Sequence, residues 1–542
     1  MKETKLQTNQ LDVISNNNGL SMYLSGLLSG RKATPRSSLY NIKAKTKVLS
    51  PDEILSHWTA TLESLTSGNS FEREVFQFDS AQLQKWGPQG EIAPIAKLLE
   101  DVVYPSFAEQ DTPEAFSTSD WMEAKRRVVR TLHACGCRGL APVPYHRVVD
   151  DMRARDTLES NSGWPLFTRR SKPDVVKQSI EEAVSGEWET YPAIALFRNY
   201  NLKTRLVWMF PMSANLVEGS FFQPLQSILM KSFAGEQFLA PWMGFEHVRS
   251  IVSNVYDSGG VVAASDFSST DAHFKLATSL EVADVLEQCF QPRFRAQLRH
   301  SITHMHTIPL IISPDTELVG EHGVSSGSNW TNFIETMFDW ILAIYVSLQE
   351  GASPSSRWGI SSIYSGLYAI GDDMSWCVDK HHYDPDFSDR LAAYGKQVGQ
   401  EIKAEKTTND RDKVKSLQRL FQAGYRNDQG QLRAVYPTIR ALKSLVYPER
   451  MHKKALWSRD MSAVRAFMIL ENTVDHPLFQ QFCKFVADGD PYLSEFARKS
   501  SGYKQTALRK SQLIPGLNST YNQEKRDLSF SEFASINFVA TL

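Results

Sequence analysis

Cysteine is scarce: five residues, at 135, 137, 289, 377 and 483, with no paired CxxC spacing. This argues against a zinc ribbon and a disulfide framework, and a reducing compartment fits best. Long apolar runs are missing as well. The longest, near WILAIYV at 340–346, falls far short of the ~20 residues that span a membrane. The N-terminal MKETKLQTNQ is polar and has no signal-peptide pattern, so a soluble, unprocessed chain is expected. Net charge is close to nil, at -2. That leaves no global attraction to nucleic acid, yet a protein that encloses its ligand needs only a locally basic channel. No repeat of about 20 to 50 residues is visible, so neither a solenoid nor a propeller is expected.

Core material is plentiful. With 42% apolar and 11% aromatic residues, long disorder is expected only at the ends. A length of 542 residues predicts about three or four domain-sized units, or one large interwoven enzyme. Residues 1–50 are polar, and 31–48 carry six basic residues and no acidic one. They read as an extended arm, either a solvated tail or a segment that straps domains together or touches phosphates. From 52 to 255 helical patterns alternate with Pro- and Gly-broken stretches. Residues 255–440 mix strands and helices, 440–512 are mostly helical, and the chain from 513 is loop-rich.

The chain also places carboxylates where solvation is not expected. Residues 368–376 read YAIGDDMSW, an apolar run interrupted by adjacent Asp372 and Asp373. Such a pair repels itself unless it is solvated or neutralised by a cation. A Gly-Asp-Asp triplet arises by chance in roughly 10% of chains this long, so alone it decides little. Upstream, GGVVAASDFSSTDAHF carries a second pair. The VVAA run predicts a buried strand, with Asp266 at its C-terminal end. The Ser, Ser and Thr that follow are helix-start signals, which puts Asp271 in the first helical turn, where capping is an alternative role. A carboxylate directly after a buried strand resembles a metal ligand. Gly371 permits a tight hairpin with Asp372 at its tip. If that hairpin lies beside the 261–266 strand, Asp266 and Asp372 meet, and their oxygens suit two Mg²⁺ ions about 4 Å apart, the arrangement of phosphoryl transfer.

Between the two pairs lies GVSSGSNWTNFIETMFDWILAIYV. Ser326 and Gly327 read as a flexible loop before a helix with Trp330, Phe333, Met337, Ile341 and Tyr345 on one stripe; Thr331 and Glu335 share another face. The order D-x4-D, SG-x3-T, GDD resembles the A, B and C motifs of viral RNA-dependent RNA polymerases. The wording DFSSTDAHF, GVSSGSNWTNF and YAIGDDMSW is most similar to the double-stranded RNA virus enzymes of the picobirnavirus and partitivirus group. The resemblance covers roughly 160–450 and implies an α+β fold: a closed right hand of fingers, palm and thumb, its palm built on an antiparallel sheet. The implied divisions are an N-terminal arm 1–50, mainly fingers 51–255, palm 256–275, a fingers insertion 276–320, palm 321–440, thumb 441–512 and a C-terminal tail 513–542.

The remaining motifs follow from that resemblance. RNYNLKTRLVWMFP resembles the basic F motif, with Arg198, Lys203 and Arg205 over the nucleotide triphosphate; Lys203 and Arg205, two apart on a strand, point to one side. SNSGWP resembles the G motif that guides the template, resting on Ser162, Gly163 and Pro165. QEIKAEKTTND resembles the D motif, whose lysine is the general acid toward pyrophosphate. Lys406 occupies the KT position and is chosen over Lys403. LFQAGYRNDQGQLRAVYP, a hairpin signal around Asn-Asp-Gln-Gly, resembles the E motif. One departure stands out: many relatives carry Asn or Asp four residues after the threonine, where this chain has Glu335, while Asn332 follows Thr331 directly.

The resemblance therefore implies template-directed RNA synthesis, replicating and transcribing a viral RNA genome. Asp266, Asp372 and Asp373 hold two Mg²⁺ ions, with Mn²⁺ able to substitute and Asp373 supporting from the rim. Asp271 selects ribose, aided by Thr331 or Asn332, and Ser326 with Gly327 moves as the nascent pair is accepted. Partners are RNA template, nascent RNA, ribonucleoside triphosphates and a viral capsid protein, with no membrane. The setting is the virion interior and the host cytoplasm. A reverse transcriptase would use the same metals, but it usually carries an aromatic residue two before the paired aspartates; here Ile370 and Gly371 precede them, and Asp271 takes the sugar region. A structural RNA-binding protein of a capsid interior, with GDD a mere turn, is the rival from another class. His300, His304 and His306 have ligand spacing, but no carboxylate or cysteine completes a zinc set. In the tail, Tyr521, Phe530, Phe533 and Phe538 are more aromatic than a disordered segment tends to be. They predict that the tail docks on something; the fold implied by the resemblance puts this at the thumb, with the tail either partly occluding the product exit or simply docked on the outer surface.

Overall fold

The computed structural model describes residues 1–33, 39–40, 48–155, 157–352, 360–449, 455–514, 517 and 529–542. Its strands are β1 (Lys2–Lys5), β2 (Ala193–Tyr200), β3 (Lys203–Met209), β4 (Gly260–Asp266), β5 (Leu310–Ser313) and β6 (Thr316–Val319). They continue as β7 (Ser365–Ile370), β8 (Asp373–Asp379), β9 (Thr408–Asn409), β10 (Lys413–Ser416) and β11 (Arg419–Gln422). One sheet runs β1-β6-β5-β2-β3 and is antiparallel except where β2 meets β5. A second, β7-β8-β4-β9, is antiparallel throughout. With the surrounding helices the architecture is α+β.

The VVAA run does form a buried strand: β4 is buried along its length except at Asp266. Behind it, helix Trp330–Gln349 packs against β7 and helix Ser119–Ala134. The one-stripe reading of this helix is too narrow. From Trp330 to Val346 every residue but Asn332 is buried, as an all-round apolar helix requires.

Residues 2–27 are not an extended arm. Lys2–Lys5 forms β1, and helices Thr8–Asn16 and Asn18–Leu27 follow. The cause is a sparse apolar set, Leu6, Ile14, Leu20, Leu24 and Leu27, which is buried in one cluster with Ile194 of β2 and Ile311 of β5. Polar composition hid these five. Farther on, Tyr40 donates its hydroxyl to the Phe485 carbonyl at 2.7 Å. The described part of the first fifty residues thus touches both the first sheet and the C-terminal helices. Most of the basic stretch, 34–38 and 41–47, lies outside the described residues.

Residues 51–80, expected among the fingers, pack instead with the C-terminal helices. Helices Pro51–Leu62 and Ser70–Ser80 share one apolar cluster with Thr438–Val446, Arg459–Glu471 and Phe479–Gly489. Asp79 anchors this contact. Fully buried, it accepts from the backbone N–H groups of Thr438 and Ile439 and from the Thr438 hydroxyl, at 2.8, 2.9 and 2.5 Å, with His476 Nε2 3.1 Å away. Pro437 precedes that helix and has no side chain to cap it. Asp79→Ala is expected to cost about 3–5 kcal/mol, since it strips a buried partner from several donors at once. A thermal midpoint equal to that of the wild type would contradict this.

The turn at 427–430 forms, with the Asn427 N–H donating to the Gln431 carbonyl and Gly430 at φ 75°. Its flanks contribute only isolated bridges, such as Arg426 to Leu432. The regular hairpin of this region is β10–β11, which turns at Leu417 and Gln418, both at positive φ (48° and 66°). No turn-favouring residue announces it. At the C-terminus, Phe530, Phe533, Ile536 and Val539 are buried in the C-terminal cluster, and Glu471 accepts from the N–H groups of Ala534 and Ser535 at 3.0 Å. Phe538 packs against the same cluster. Residues 529–542 are therefore part of a core. Pro515, Gly516 and Tyr521 lie outside the described residues.

Candidate active site

The antiparallel register of β4 and β8 sets Asp266 directly opposite Asp373. Ile370 pairs with Asp373 across a two-residue turn, in which Gly371 takes φ 56° and Asp372 follows at the tip. The Gly371 N–H donates to Thr336 Oγ1 at 2.8 Å, fixing the turn on the central helix. Thr270 donates its hydroxyl to Asp372 Oδ2 at 3.0 Å. Asp373 is thus the cross-strand partner of Asp266, exposed at the first position of β8. Thr270 and Thr336 were missed because each reads in sequence as an ordinary helix residue.

Six carboxylates crowd this point: Asp266, Asp271, Asp372, Asp373, Glu335 and Asp339. Withdrawal from bulk water, then the charges of Asp372 and Asp266, push Asp373 up to about 7. Asp271 is pushed up to about 6 by the same withdrawal and by Asp372. Asp372 is raised by burial and Asp266, against the Thr270 hydrogen bond. Beneath them Glu335 and Asp339, four residues apart on the central helix, are both held well above the carboxylate range by burial and by Asp372. Arg205 pulls the other way on Asp271, Asp372 and Asp373. Among the described residues no three side chains form a ready-made metal cage. What the turn offers is a few hard oxygens facing a cavity, which suits an ion that takes its other ligands from water and phosphate.

That cavity measures 2760 Å³, and its wall includes Lys203, Arg205, Asp266, Asp372, Asp373 and Lys406. Lys203 and Arg205 lie on one face of β3, both exposed, in a hairpin that turns at Asn201 and Leu202. Arg198, across the ladder from Arg205, is committed to Glu449, with bonds of 2.5 and 2.9 Å. The two D-motif lysines separate clearly. Lys406 Nζ is 3.9 Å from Asp266 and lines the cavity, whereas Lys403 lies 3.5 Å from Glu401.

Ser326 and Gly327 are less free than a flexible loop. Ser326 Oγ accepts from the Trp208 N–H at 3.2 Å, and a Cβ on Gly327 would stand 1.7 Å from the Trp208 carbonyl oxygen. Thr331 and Asn332 diverge. Thr331 is buried and donates to the Ser325 carbonyl at 2.6 Å, while Asn332 is exposed on the cavity wall. Ser162, Gly163 and Pro165 do not reach the cavity wall. Ser162 is buried, its carbonyl accepts from the Met212 N–H at 2.8 Å, and Gly163 packs on the Phe210 carbonyl. Their neighbours Glu159 and Ser160 line the cavity instead. The three histidines do not converge. His300 pairs with Glu189 at 3.0 Å, His304 packs edge-on to Trp188, and His306 bonds Ser279 and the His322 carbonyl.

The sequence profile of the viral RNA-dependent RNA polymerase family matches residues 201–486. A potential RNA-dependent RNA polymerase of Human picobirnavirus (strain Human/Thailand/Hy005102/-) is 26% identical over 513 residues, covering 88% of this chain and 85% of the relative. The crystal structure of a human picobirnavirus RNA-dependent RNA polymerase superposes with a TM-score of 0.77 at 20% identity, over 99% of this chain and 100% of the other. Its insertion-loop deletion mutant gives 0.73 at 21% identity, over 94% and 97%.

Proposed function

This chain belongs to the viral RNA-dependent RNA polymerases, and from that premise we propose how its own residues divide the work. The enzyme copies an RNA template into RNA: a 3′-hydroxyl attacks the α-phosphate of a ribonucleotide and pyrophosphate leaves. The observation that carries the assignment of roles is the β4–β8 ladder, which opposes Asp266 and Asp373 beside Asp372 in the wall of a basic-lined cavity.

Polymerases of this family use divalent metal ions. We assign two Mg²⁺ ions, with Mn²⁺ able to substitute, to Asp266, Asp372 and Asp373. When bound, such ions would supply positive charge at the attacking hydroxyl and at the departing phosphates. Lys203 and Arg205 hold the triphosphate, where preorganised cations stabilise charge as it moves. Lys406 donates the proton to pyrophosphate. Arg198, paired with Glu449, orients the hairpin that carries the other two. A viral capsid protein as partner, and the virion interior and host cytoplasm as setting, complete the proposal.

For sugar choice the reading favours Asn332 beside Asp271, because the Thr331 hydroxyl is already spent. Asp271→Ala and Asn332→Ala are each expected to lower the ribonucleotide-to-deoxyribonucleotide ratio by about 10-fold or more, because a site built to bond a hydroxyl rejects the analogue lacking it. Thr331→Val is expected to leave the ratio unchanged. A shifted ratio in Thr331→Val with none in Asn332→Ala would reverse the assignment. The tail partly occludes the exit in this reading, supported by Phe530 and Phe533 at the cavity wall. Deleting residues 516–542 is expected to raise primed relative to unprimed extension, and also to lower the thermal midpoint, since it removes Phe530 and Ile536 from the core. Incorporation of the complementary ribonucleotide opposite a defined RNA template tests the function as a whole.

A further inference from the structure

Three segments distant in sequence meet beside the nucleotide residues. The short helical turn Ala81–Lys85 brings Lys85, the β2–β3 turn brings Asn201 and Lys203, and helix Thr438–Val446 brings Arg440 and Lys443. Lys443 is buried and straps the three together: its Nζ donates to the Lys85 carbonyl oxygen and, at 3.5 Å, to Asn201 Oδ1. Gln89 adds to the strap by donating to the Tyr447 carbonyl at 2.7 Å. Lys85, Lys203 and Arg440 all line the cavity.

The cations here lack counter-charges. Among the described residues none of Lys85, Lys203, Arg440 and Lys443 has a carboxylate within ion-pairing distance. Arg440 finds only neutral company: Nη2 donates to the Tyr200 hydroxyl at 3.2 Å, the guanidinium lies over the Tyr200 and Tyr436 rings at 5.8 and 5.9 Å, and the buried Nε has no partner. Burial and the neighbouring Arg440 and Lys85 pull Lys443 down to about 8. Lys85 reaches the surface, yet partial withdrawal from water and the charges of Arg440, Lys203 and Lys406 lower it, with Asp266 opposing. Like charges gathered without carboxylates are stabilised when an anion joins them. Lys85 and Arg440 share the cavity wall with Asp266 and Lys406, which puts that anion at the reacting end of the cavity.

We propose that Lys85 and Arg440 bind the phosphates of a polyphosphate anion, with Lys443 as the positioning residue that holds Lys85 and the β2–β3 turn against the helix. The ligand is a nucleoside triphosphate entering the site or the pyrophosphate leaving it, a source that rests on the polymerase reading. Lys85 precedes the segment matched by the family profile, and sequence motifs gave no reason to select it. Its partners come from the other end of the chain.

The test measures pyrophosphate binding to the full-length protein by calorimetry, together with steady-state kinetics on a primed RNA template. Lys85→Ala and Arg440→Ala are each expected to weaken pyrophosphate binding by about 10- to 100-fold, the usual worth of a charge-assisted hydrogen bond, with primer–template affinity unchanged and Arg440→Lys restoring part of the loss. A parallel rise in nucleotide KM identifies the entering triphosphate; a change confined to product inhibition identifies the leaving group. Lys85 is exposed, so its variant remains informative if Arg440→Ala fails to fold. Unchanged pyrophosphate affinity in folded Lys85→Ala, or a loss confined to RNA affinity, would overturn the proposal. A wild-type protein that makes no RNA yet binds pyrophosphate through Lys85 would sink the polymerase reading and leave the site.

Discussion

Asp372→Ala is expected to lower RNA synthesis by about 1000-fold or more while leaving the protein folded. The size follows from the loss of an oxygen that holds charge where charge develops, a place where single groups are worth several kcal/mol. The fold should survive because Asp372 sits on a two-residue turn and its one side-chain bond, from Thr270, is replaceable by water. Its removal also relieves repulsion on Asp271, Asp373, Glu335 and Asp339, so the thermal midpoint is expected to hold or rise. Asp266→Asn is expected to be as severe. Asp373→Asn is expected to be milder than either but still deleterious, because the ladder sets Asp373 opposite Asp266. Near-normal incorporation by a folded Asp372→Ala protein would remove the basis for the mechanism.

Lys406→Leu carries the second large effect, a loss of about 10- to 1000-fold in the chemical step, the range for a positioned proton donor. Leucine keeps the apolar stem and discards the ammonium that stands 3.9 Å from Asp266. Lys403→Leu, three residues away but turned toward Glu401, is the matched control and is expected to lose little. A single-turnover rate that is slow in Lys403→Leu and normal in Lys406→Leu would exchange the two.

The parts of the site legible in sequence were those carried by short local rules. A fully buried run ending in a carboxylate gave β4 and Asp266, and a glycine before two aspartates gave the β7–β8 turn. Distant contacts were not legible. That Thr331 turns inward to Ser325 while Asn332 faces the cavity depends on the helix being buried all round, and a one-stripe reading missed it. Ser162 and Gly163 read as template contacts, but they are buried against residues 210–212. The β10–β11 turn uses Leu417 and Gln418 at positive φ, which turn chemistry does not flag. The N-terminal helices were hidden because five apolar residues suffice when the first sheet supplies the other half of the core. Lys85 and Asp79 gain meaning only through residues about 350 positions away, as the Asp79–Thr438 bond shows.

The central claim is that Asp266, Asp372 and Asp373 bind divalent cations together with a nucleotide. Electron paramagnetic resonance of Mn²⁺, titrated into the full-length protein with a ribonucleoside triphosphate and primed template, measures this without requiring turnover. The wild type is expected to take up two ions per chain, and Asp266→Asn combined with Asp372→Asn neither. Equal Mn²⁺ stoichiometry in the two proteins would contradict the account.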